Sequence, residues 1–219
     1  MSRLIAIGDI HGQMKMLETL MRKIQPRADD KFIFLGDYID RGFSSKQVIE
    51  YLLHFRNKFD CVFIKGNHED MLLDFLGLDD EAMFRDSYLP NGGMATVRSY
   101  CEEKADTEAL IQCIPASHIE FIKKTKLYHI EGNYIFVHGG VIAGVPIEKQ
   151  KRENLLWLRY QFISYPTDLD KIVVFGHTPQ NSVFISKDKI GVDTGAGYKK
   201  SLSAIDLSNK TVFSVKWER

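Results

Sequence analysis

Five short segments of this 219-residue chain carry side chains that could bind a metal ion or a phosphate. The residues are Asp9, His11, Asp37, Asp40, Arg41, Asn67, His68, Glu69, His138 and His177. Each segment contains glycine beside an apolar run: LIAIGDIHG, FIFLGDYIDRG, VFIKGNHE, YIFVHGG and VVFGHT. Carboxylate, imidazole and amide ligands without cysteine suit divalent ions such as Mn, Fe or Zn, rather than a closed structural zinc site.

So many candidate ligands exceed the needs of one ion. Two divalent ions about 3.5–4 Å apart, bridged by one carboxylate, stabilise the attacking and leaving oxygens of a displacement at phosphorus. Asp37 is the expected bridge because its segment is central in the predicted strand order. The pattern therefore predicts a two-metal site that acts on a phosphate ester.

The apolar runs predict strands that position these segments. From residue 4 to residue 64, apolar runs alternate with two amphipathic stretches, which indicates a βαβαβ unit. The first stretch ends at Pro26, and the second repeats an apolar face through Val48, Ile49, Leu52 and Phe55. The carboxyl ends of parallel strands share one edge of a sheet, so the polar segments can meet there.

The rest of the chain divides into a helical part and a strand-rich part. Residues 68–128 show helical patterns and no strand period, whereas YIFVHGG, IVVFGHT, SVFIS, KIGVDTG, LSAIDL and TVFSVKW have the spacing of sheet strands. Residues 144–171, with Pro146 and Pro166, are expected to form an irregular surface connection. We predict an α/β fold and one catalytic domain over residues 1–219.

Composition narrows the class of protein. Lys plus Arg and Asp plus Glu both total 29, so no global charge favours binding to nucleic acid or to an anionic membrane. The N-terminal apolar run is too short for a signal peptide, and no stretch approaches the roughly 20 apolar residues of a membrane span. The three cysteines lack metal-site spacing and are expected to be buried or incidental thiols. A cytoplasmic location is expected.

Each motif also has a structural interpretation. Asp9-Ile10-His11 could be a turn or a helix cap, and Asn67 could cap a helix that has Glu69 in its first turn. HGG and GHT could be strand ends with a hydrogen-bonded histidine. A site is favoured because all five strand ends carry polar clusters. The histidines away from strand ends are expected to be structural: His54, His118 and His129.

The ordered set GDIHG, GDYIDRG, GNHE, HGG and GHT resembles the phosphoprotein phosphatase family of calcineurin-like metallophosphoesterases. The compact bacterial and phage serine/threonine phosphatases are the most similar members. The resemblance runs from Gly8 to the DTGA of residues 193–196, although the helical middle is less diagnostic. It implies an α/β sandwich of central mixed β-sheets flanked by helices. It also implies two divalent ions, Mn or alternatively Fe or Zn.

The resemblance further implies a role for each matching residue. The implied ligands are Asp9, His11 and bridging Asp37 for one ion, and Asp37, Asn67, His138 and His177 for the other. His68 is implied as the general acid and Asp40 as its partner, since a carboxylate beside an imidazole favours the protonated ring. Arg41 resembles the first phosphate-binding arginine, whose planar fork suits bidentate contact.

A second phosphate-binding arginine is expected between HGG and GHT. NLLWLRYQF resembles the family's apolar-Trp-x-Arg pattern and indicates Arg159. Arg152 is a nearby competitor, and Arg159 could instead lie on an exposed helix face. Tyr198 matches a position where the family often has an aromatic residue near the substrate, but core packing or exposure is also compatible with it.

The predicted reaction is attack on phosphorus by metal-activated water, with no phosphoenzyme. The predicted enzyme is a serine/threonine protein phosphatase acting on a phosphorylated protein or a small phosphoester. The alternatives are a hydrolase of dinucleoside polyphosphates such as diadenosine tetraphosphate, and an inactive phosphopeptide-binding module. The dinucleotide branch resembles GDLVARG and GNHD at the second and third motifs, so Asp40 and Glu69 favour the phosphoprotein branch.

Overall fold

The computed structural model describes residues 2–79, 85–101 and 107–218, with residues 107 and 108 described by their backbone alone. The strands are β1 (Leu4–Ile7), β2 (Lys31–Phe34), β3 (Asp60–Phe63), β4 (Tyr128–Glu131), β5 (Tyr134–Val137), β6 (Ile172–Phe175), β7 (Phe184–Ile185), β8 (Lys189–Gly191), β9 (Ser201–Asp206) and β10 (Thr211–Lys216). The α-helices are α1 (Met14–Ile24), α2 (Ser45–Phe55), α3 (Asn67–Phe75), α4 (Met94–Tyr100), α5 (Thr107–Cys113), α6 (Ala116–Lys123), α7 (Arg152–Trp157) and α8 (Tyr160–Ser164).

The first sheet contains the predicted βαβαβ unit. Its order is β10-β9-β1-β2-β3, and β1, β2 and β3 pair in parallel. Both crossover helices bury the apolar faces expected from their periodicity. The carboxyl ends of these three strands therefore lie along one edge.

The second sheet has the order β4-β5-β6-β8-β7, in which β5, β6 and β8 are mutually parallel. The sequence did not predict β4, because its four residues, YHIE, form no apolar run. All four are partly exposed. The turn before β5 contains Gly132 at φ 54°, a left-handed conformation that favours glycine.

Alternation of side chains along the strands produces the layers. Ile5 and Ile7 of β1 pack against the helices on the outer face, while Ala6 enters a cluster shared with the other sheet. Similarly, Val174 of β6 faces that shared cluster, whereas its neighbours pack with α7 and α8. Two mixed sheets thus pack face to face with helices outside them, which confirms the predicted fold class.

The segment between β3 and β4 is helical, as predicted, where it is described. It includes a 3₁₀ turn (Arg85–Ser87) and a π-helical turn (Leu89–Gly93) before α4. Cys101 and Cys113 form a disulfide with a Cα–Cα distance of 5.8 Å, so the expectation of incidental thiols is wrong for these two. Burial raises the pKa of the free Cys61 thiol to about 12, which disfavours the reactive thiolate.

The stretch predicted to be irregular, residues 144–171, is more ordered than expected. It contains a 3₁₀ turn (Ile147–Lys149) and the short helices α7 and α8. Buried Leu155 and Phe162 pack these helices against the second sheet. Among the described residues, no helix has the length and apolarity needed to cross a bilayer.

Candidate two-metal site

The ends of five strands from both sheets meet at one edge of the sandwich. His138 follows β5, and its Nδ1 lies 2.8 Å from the carbonyl oxygen of Leu35 after β2. The backbone N–H of His177, after β6, donates to Asp9 Oδ2 at 2.9 Å. These bonds join the polar end of one sheet to that of the other, as the sequence predicted.

Two trios of ligand atoms converge at this edge. One comprises His11, Asp37 and His68, and the other comprises Asp37, His138 and His177, with the atoms of each trio within 4.8 Å of one another. Asp37 Oδ2 lies 3.4 Å from His11 Nε2, and Asp37 Oδ1 lies 3.3 Å from His138 Nε2. Because the two oxygens of Asp37 face different trios, this carboxylate has the geometry of a bridge.

The histidine tautomers fit metal binding. The Nδ1 atoms of His11 and His138 each face a backbone carbonyl, at 2.9 and 2.8 Å. A carbonyl can only accept a hydrogen bond, so Nδ1 carries the proton and the lone pair on Nε2 faces the site. His177 Nε2 is buried and has no hydrogen-bond partner within the described structure. A divalent ion would satisfy each of these nitrogens.

The oxygens around the second trio also fit a cation. Asn67 Oδ1 lies 2.9 Å from His138 Nε2, beside Asp37 Oδ1. Three acceptor atoms thus face one another in a buried space, an arrangement that a cation stabilises. Asn67 is the first residue of α3, and Gly66 rather than Asn67 is the N-cap residue.

Asp9 belongs to neither trio, but it adds negative charge beside them. Burial, followed by the charges of Asp193 and Asp37, raises the pKa of Asp9 well above its usual value. Gly176 permits the close approach of Asp9, because a Cβ atom at residue 176 would lie 2.2 Å from Asp9 Oδ1. A cation bound nearby would offset these effects and favour the ionised carboxylate of Asp9.

The electrostatics favour the metal-binding forms of Asp37, His11 and His177, whereas at His138 burial is outweighed by the charge and hydrogen bonding of Asp37, which raise the pKa of the imidazole. Burial alone would raise the pKa of Asp37, but the potentials of His138 and His68 hold it well below its usual value. Burial lowers the pKa of His11 and, together with His138 and Arg159, lowers that of His177 to about 2. A metal binds an ionised carboxylate and a neutral imidazole, which are the forms favoured for Asp37, His11 and His177.

His68 and Asp40 form the predicted pair. His68 Nδ1 lies 2.7 Å from Asp40 Oδ2, while His68 Nε2 lies 3.9 Å from Asp37 Oδ2. Nδ1 therefore donates to Asp40, and Nε2 faces the converging ligands. Sequence reasoning missed two further members of this arrangement, Tyr88 and Thr96, whose hydroxyls donate to Asp40 Oδ1. Neither residue lies in a recognisable motif.

Arg41 lies beside the first trio. Its Nη1 is 2.7 Å from His11 Nε2, and its guanidinium stacks 4.6 Å from the ring centre of half-exposed Tyr198. Gly92 and Gly197 border the side chain closely, since a Cβ atom at either position would lie within 3.0 Å of it. Arg41 therefore has a defined position at the mouth of the site.

The two candidate second arginines have different surroundings. Arg159 Nη1 donates to the carbonyl oxygen of His177 at 3.0 Å, which places Arg159 beside the second trio. Arg152 instead forms ion pairs with Asp70 and Asp79, and its contact with Asp70 ties α7 to α3. The geometry favours Arg159 for contact with a phosphate.

Glu69 has a structural position behind the site. Its two oxygens accept hydrogen bonds from the backbone N–H groups of Asp37, Tyr38, Ile39 and Gly66, at 2.9, 2.8, 3.3 and 3.0 Å. Burial and then the charge of Asp37 raise the pKa of Glu69 to about 7. Glu69 thus fastens the second and third motifs to each other.

Strained backbone is concentrated in these motifs. Of the nine described non-glycine residues with φ between 48° and 71°, five lie in the motifs: His11, Asp37, Asp40, Arg41 and His177. Left-handed conformations of this kind are sparsely populated and persist where surrounding contacts fix them. The motifs are thus held in conformations that aim their side chains at one point.

Comparison with known proteins agrees with this geometry. Residues 2–209 match the family described as calcineurin-like phosphoesterase. Bis(5'-nucleosyl)-tetraphosphatase PrpE [asymmetrical] of Oceanobacillus iheyensis is 26% identical over 239 residues, covering 95% of this chain and 90% of that protein. The protein of the same name from Anoxybacillus flavithermus is 26% identical over 236 residues, covering 95% and 92%.

A phosphatase relative matches a shorter part of the chain. The serine/threonine-protein phosphatase 4 catalytic subunit of Eremothecium gossypii is 36% identical over 102 residues, or 45% of this chain and 31% of that protein. Among solved structures, a protein provisionally assigned as a diadenosine tetraphosphatase has a TM-score of 0.70 at 21% identity, covering 99% of this chain and 94% of that one. A cold-active protein tyrosine phosphatase has a TM-score of 0.65 at 15% identity, covering 97% and 78%. At these identities the structures support the fold.

Proposed function

Since the chain belongs to the calcineurin-like phosphoesterase family, we propose that it is a two-metal hydrolase that cleaves dinucleoside tetraphosphates asymmetrically. The observation that carries this choice of substrate is the similarity, over 95% of the chain, to two proteins named bis(5'-nucleosyl)-tetraphosphatase. This reverses the order of preference reached from the motifs alone, in which a serine/threonine protein phosphatase came first.

The two residues that favoured the phosphoprotein branch lie behind the site. Asp40 and Glu69 favoured the phosphoprotein branch, but both side chains are fully buried. Asp40 contacts His68, Tyr88 and Thr96, while Glu69 binds backbone N–H groups. Neither residue meets solvent, so neither can contact a phosphopeptide or a dinucleotide directly.

The donor set described above would hold the two divalent ions. Asp9, His11 and Asp37 are proposed for one ion, and Asp37, Asn67, His138 and His177 for the other. When bound, the ions would polarise the phosphoryl oxygens and lower the pKa of the attacking water. We favour Mn, with Fe or Zn as alternatives, because the donors are oxygen and imidazole.

The protein's own donors would orient the phosphate. Arg41 and Arg159 lie beside different trios, so they can bind phosphoryl oxygens from two directions. Their guanidinium groups would stabilise the negative charge on those oxygens during displacement. Tyr198 restricts Arg41 by stacking on it.

His68 would protonate the leaving oxygen from Nε2, while Asp40 holds Nδ1. This pair supports a second candidate, hydrolysis of phosphomonoesters such as phosphoserine, phosphothreonine or phosphotyrosine in a cytoplasmic phosphoprotein. An alkoxide is strongly basic and needs a proton as it leaves, whereas a nucleoside phosphate leaves readily as an anion. Retention of every candidate ligand and of His68 argues against an inactive binding module.

The test is a comparison of kcat/KM for Mn-loaded protein on diadenosine tetraphosphate, phosphoserine and phosphothreonine peptides, and a phosphotyrosine peptide. Anion-exchange chromatography of the products separates ATP plus AMP from two molecules of ADP. We expect a preference for the dinucleotide and the asymmetric products. A preference for phosphopeptides would overturn the proposal and support the second candidate. Asp37→Asn, purified identically, controls for contaminating phosphatases.

A further inference from the structure

We infer that Tyr88 and Thr96 are positioning residues for His68, which they hold through Asp40; the inference rests on the proposed role of His68 as general acid. Tyr88 Oη donates to Asp40 Oδ1 at 3.0 Å, and Thr96 Oγ1 donates to the same oxygen at 2.5 Å. The other oxygen, Oδ2, accepts the bond from His68. Tyr88, Thr96 and Asp40 are fully buried.

The available protons determine the direction of these bonds. The Asp40 backbone N–H donates to Thr96 Oγ1 at 2.9 Å and also faces Ser45 Oγ at 3.1 Å. Thr96 has one hydroxyl proton, which its 2.5 Å contact directs to Asp40 Oδ1. Ser45 Oγ, 2.9 Å from Thr96 Oγ1, therefore donates to Thr96. The carboxylate and its own backbone are thus fixed by one threonine hydroxyl.

The turn before α4 is shaped to deliver these hydroxyls. A Cβ atom at Gly93 would lie 2.6 Å from the ring of Tyr88, so only glycine leaves room for that ring. Gly92 has φ 107°, and its carbonyl oxygen accepts the backbone N–H of Arg41 at 3.2 Å. The Asn-Gly-Gly sequence therefore allows this segment to lie against the Asp40-Arg41 motif.

Loss of both hydroxyls would leave Asp40 Oδ1 buried without its side-chain donors. The carboxylate could then rotate, and the bond from Oδ2 to His68 would no longer fix the imidazole. His68 Nε2 would lose its alignment with a leaving oxygen. The defect should therefore depend on how strongly that oxygen requires a proton, which a purely structural role would not produce.

The experiment compares aryl phosphates with good and poor leaving groups in Mn-loaded protein. For Tyr88→Phe/Thr96→Val we expect kcat/KM on phenyl phosphate to fall by about 10–100-fold, the usual range for outer-shell partners, with little change on 2,4-dinitrophenyl phosphate. Thr96→Ser keeps a hydroxyl, so its kcat/KM on phenyl phosphate should be close to that of the native sequence rather than to that of the double variant. Tyr88→Phe alone gives the same test, with a smaller effect, should the double variant not fold.

Two controls distinguish the possible failures. Ser99 is also on α4, but its hydroxyl accepts a hydrogen bond from the backbone N–H of Lys46 at 2.7 Å. Ser99→Ala should therefore lower kcat/KM on both substrates by the same factor, or leave both unchanged. His68→Ala should reproduce the selective loss on phenyl phosphate. An equal loss on both substrates in His68→Ala would refute the proposed role of His68. A selective loss in His68→Ala, with an equal loss or none in the hydroxyl variants, would overturn this inference alone.

Discussion

The strand ends and the helical segment over residues 85–100 contribute to the same site in different ways. The strand ends supply groups that would meet a metal ion or a phosphate, such as Asp37 and Arg41. The helical segment supplies the hydroxyls of Tyr88 and Thr96, which meet Asp40. The proposed metal and phosphate ligands and the hydroxyls proposed to orient Asp40 therefore come from separate parts of the chain.

This difference has a topological cause. Parallel pairing forces the ends of β1, β2 and β3 to one edge, so polar residues after these strands converge whatever the intervening sequence. Thr96 reaches Asp40 across 56 residues, through the packing of α4 against α2. Contacts of the second kind have no local sequence signature.

The largest expected effect comes from removing the bridging charge in Asp37→Asn. Loss of the shared ligand should weaken the binding of both ions. It should also lower kcat by roughly 10³-fold or more, which corresponds to several kcal/mol of transition-state stabilisation. Steady-state kinetics and Mn calorimetry would measure the two effects. Asp206→Asn is the matched control, because Asp206 is equally buried but hydrogen-bonds Ser208. Near-normal turnover and Mn affinity in Asp37→Asn would argue against a bridge.

The arginines provide the next largest contrast. Arg159→Ala should lower kcat/KM by about 10²-fold, since it removes a donor to the phosphoryl oxygens, and should leave the melting temperature nearly unchanged. Arg152→Ala should lower the melting temperature with a smaller kinetic effect, because Arg152 ties α7 to α3 through Asp70. A large loss of kcat/KM in Arg152→Ala, with a lowered melting temperature in Arg159→Ala instead, would indicate that Arg152 is the phosphate-binding arginine. Thermal unfolding and kinetics on one preparation suffice.

Glu69→Gln should affect stability more than specificity. The amide offers one acceptor oxygen in place of two, leaving buried N–H groups of Asp37 and Gly66 against an NH₂ group. We expect the free energy of unfolding, measured by urea titration, to fall by about 1–3 kcal/mol. The ratio of kcat/KM for diadenosine tetraphosphate and a phosphopeptide should stay constant. A changed ratio would show that Glu69 does influence the choice of substrate.

The smallest effect is expected at Asp188, in the second sheet. Burial alone would raise the pKa of its carboxyl, but bonds from Lys189, the Thr167 N–H and Ser186 lower it from 3.8 to about 2. A lowered pKa stabilises the fold at neutral pH, and this contribution disappears as the pH falls from about 5 to 2.

Asp188→Asn should therefore reduce the free energy of unfolding at pH 7 by less than about 1 kcal/mol, because the group is partly exposed. Urea titrations between pH 7 and pH 3 should show the difference from the native sequence shrinking, with kcat/KM unchanged at pH 7. A difference that grows on acidification would mean that the carboxylate does not stabilise the fold.

Sequence reasoning predicted much of this molecule, for physical reasons that also set its limits. The βαβ pattern fixes the direction of the strands before His11, Asp37 and Asn67, and these residues lie with His138 and His177 at one edge, whereas Asp9 lies in neither trio. β4 was missed because its sequence, YHIE, contains no apolar run. The Cys101–Cys113 disulfide was missed because the spacing of the two cysteines matches no known motif. The motifs placed a serine/threonine protein phosphatase ahead of the dinucleotide hydrolase proposed above, because burial, which distinguishes Asp40 from Arg41, is not visible in a motif.

The most direct test of the two-metal site is an electron paramagnetic resonance spectrum of the protein loaded with two equivalents of Mn²⁺. A bridging Asp37 would bring the ions close enough for exchange coupling, so we expect the spectrum of a coupled pair, lost in Asp37→Asn. A fully active protein that shows only isolated Mn²⁺ ions would rule out the bridged site.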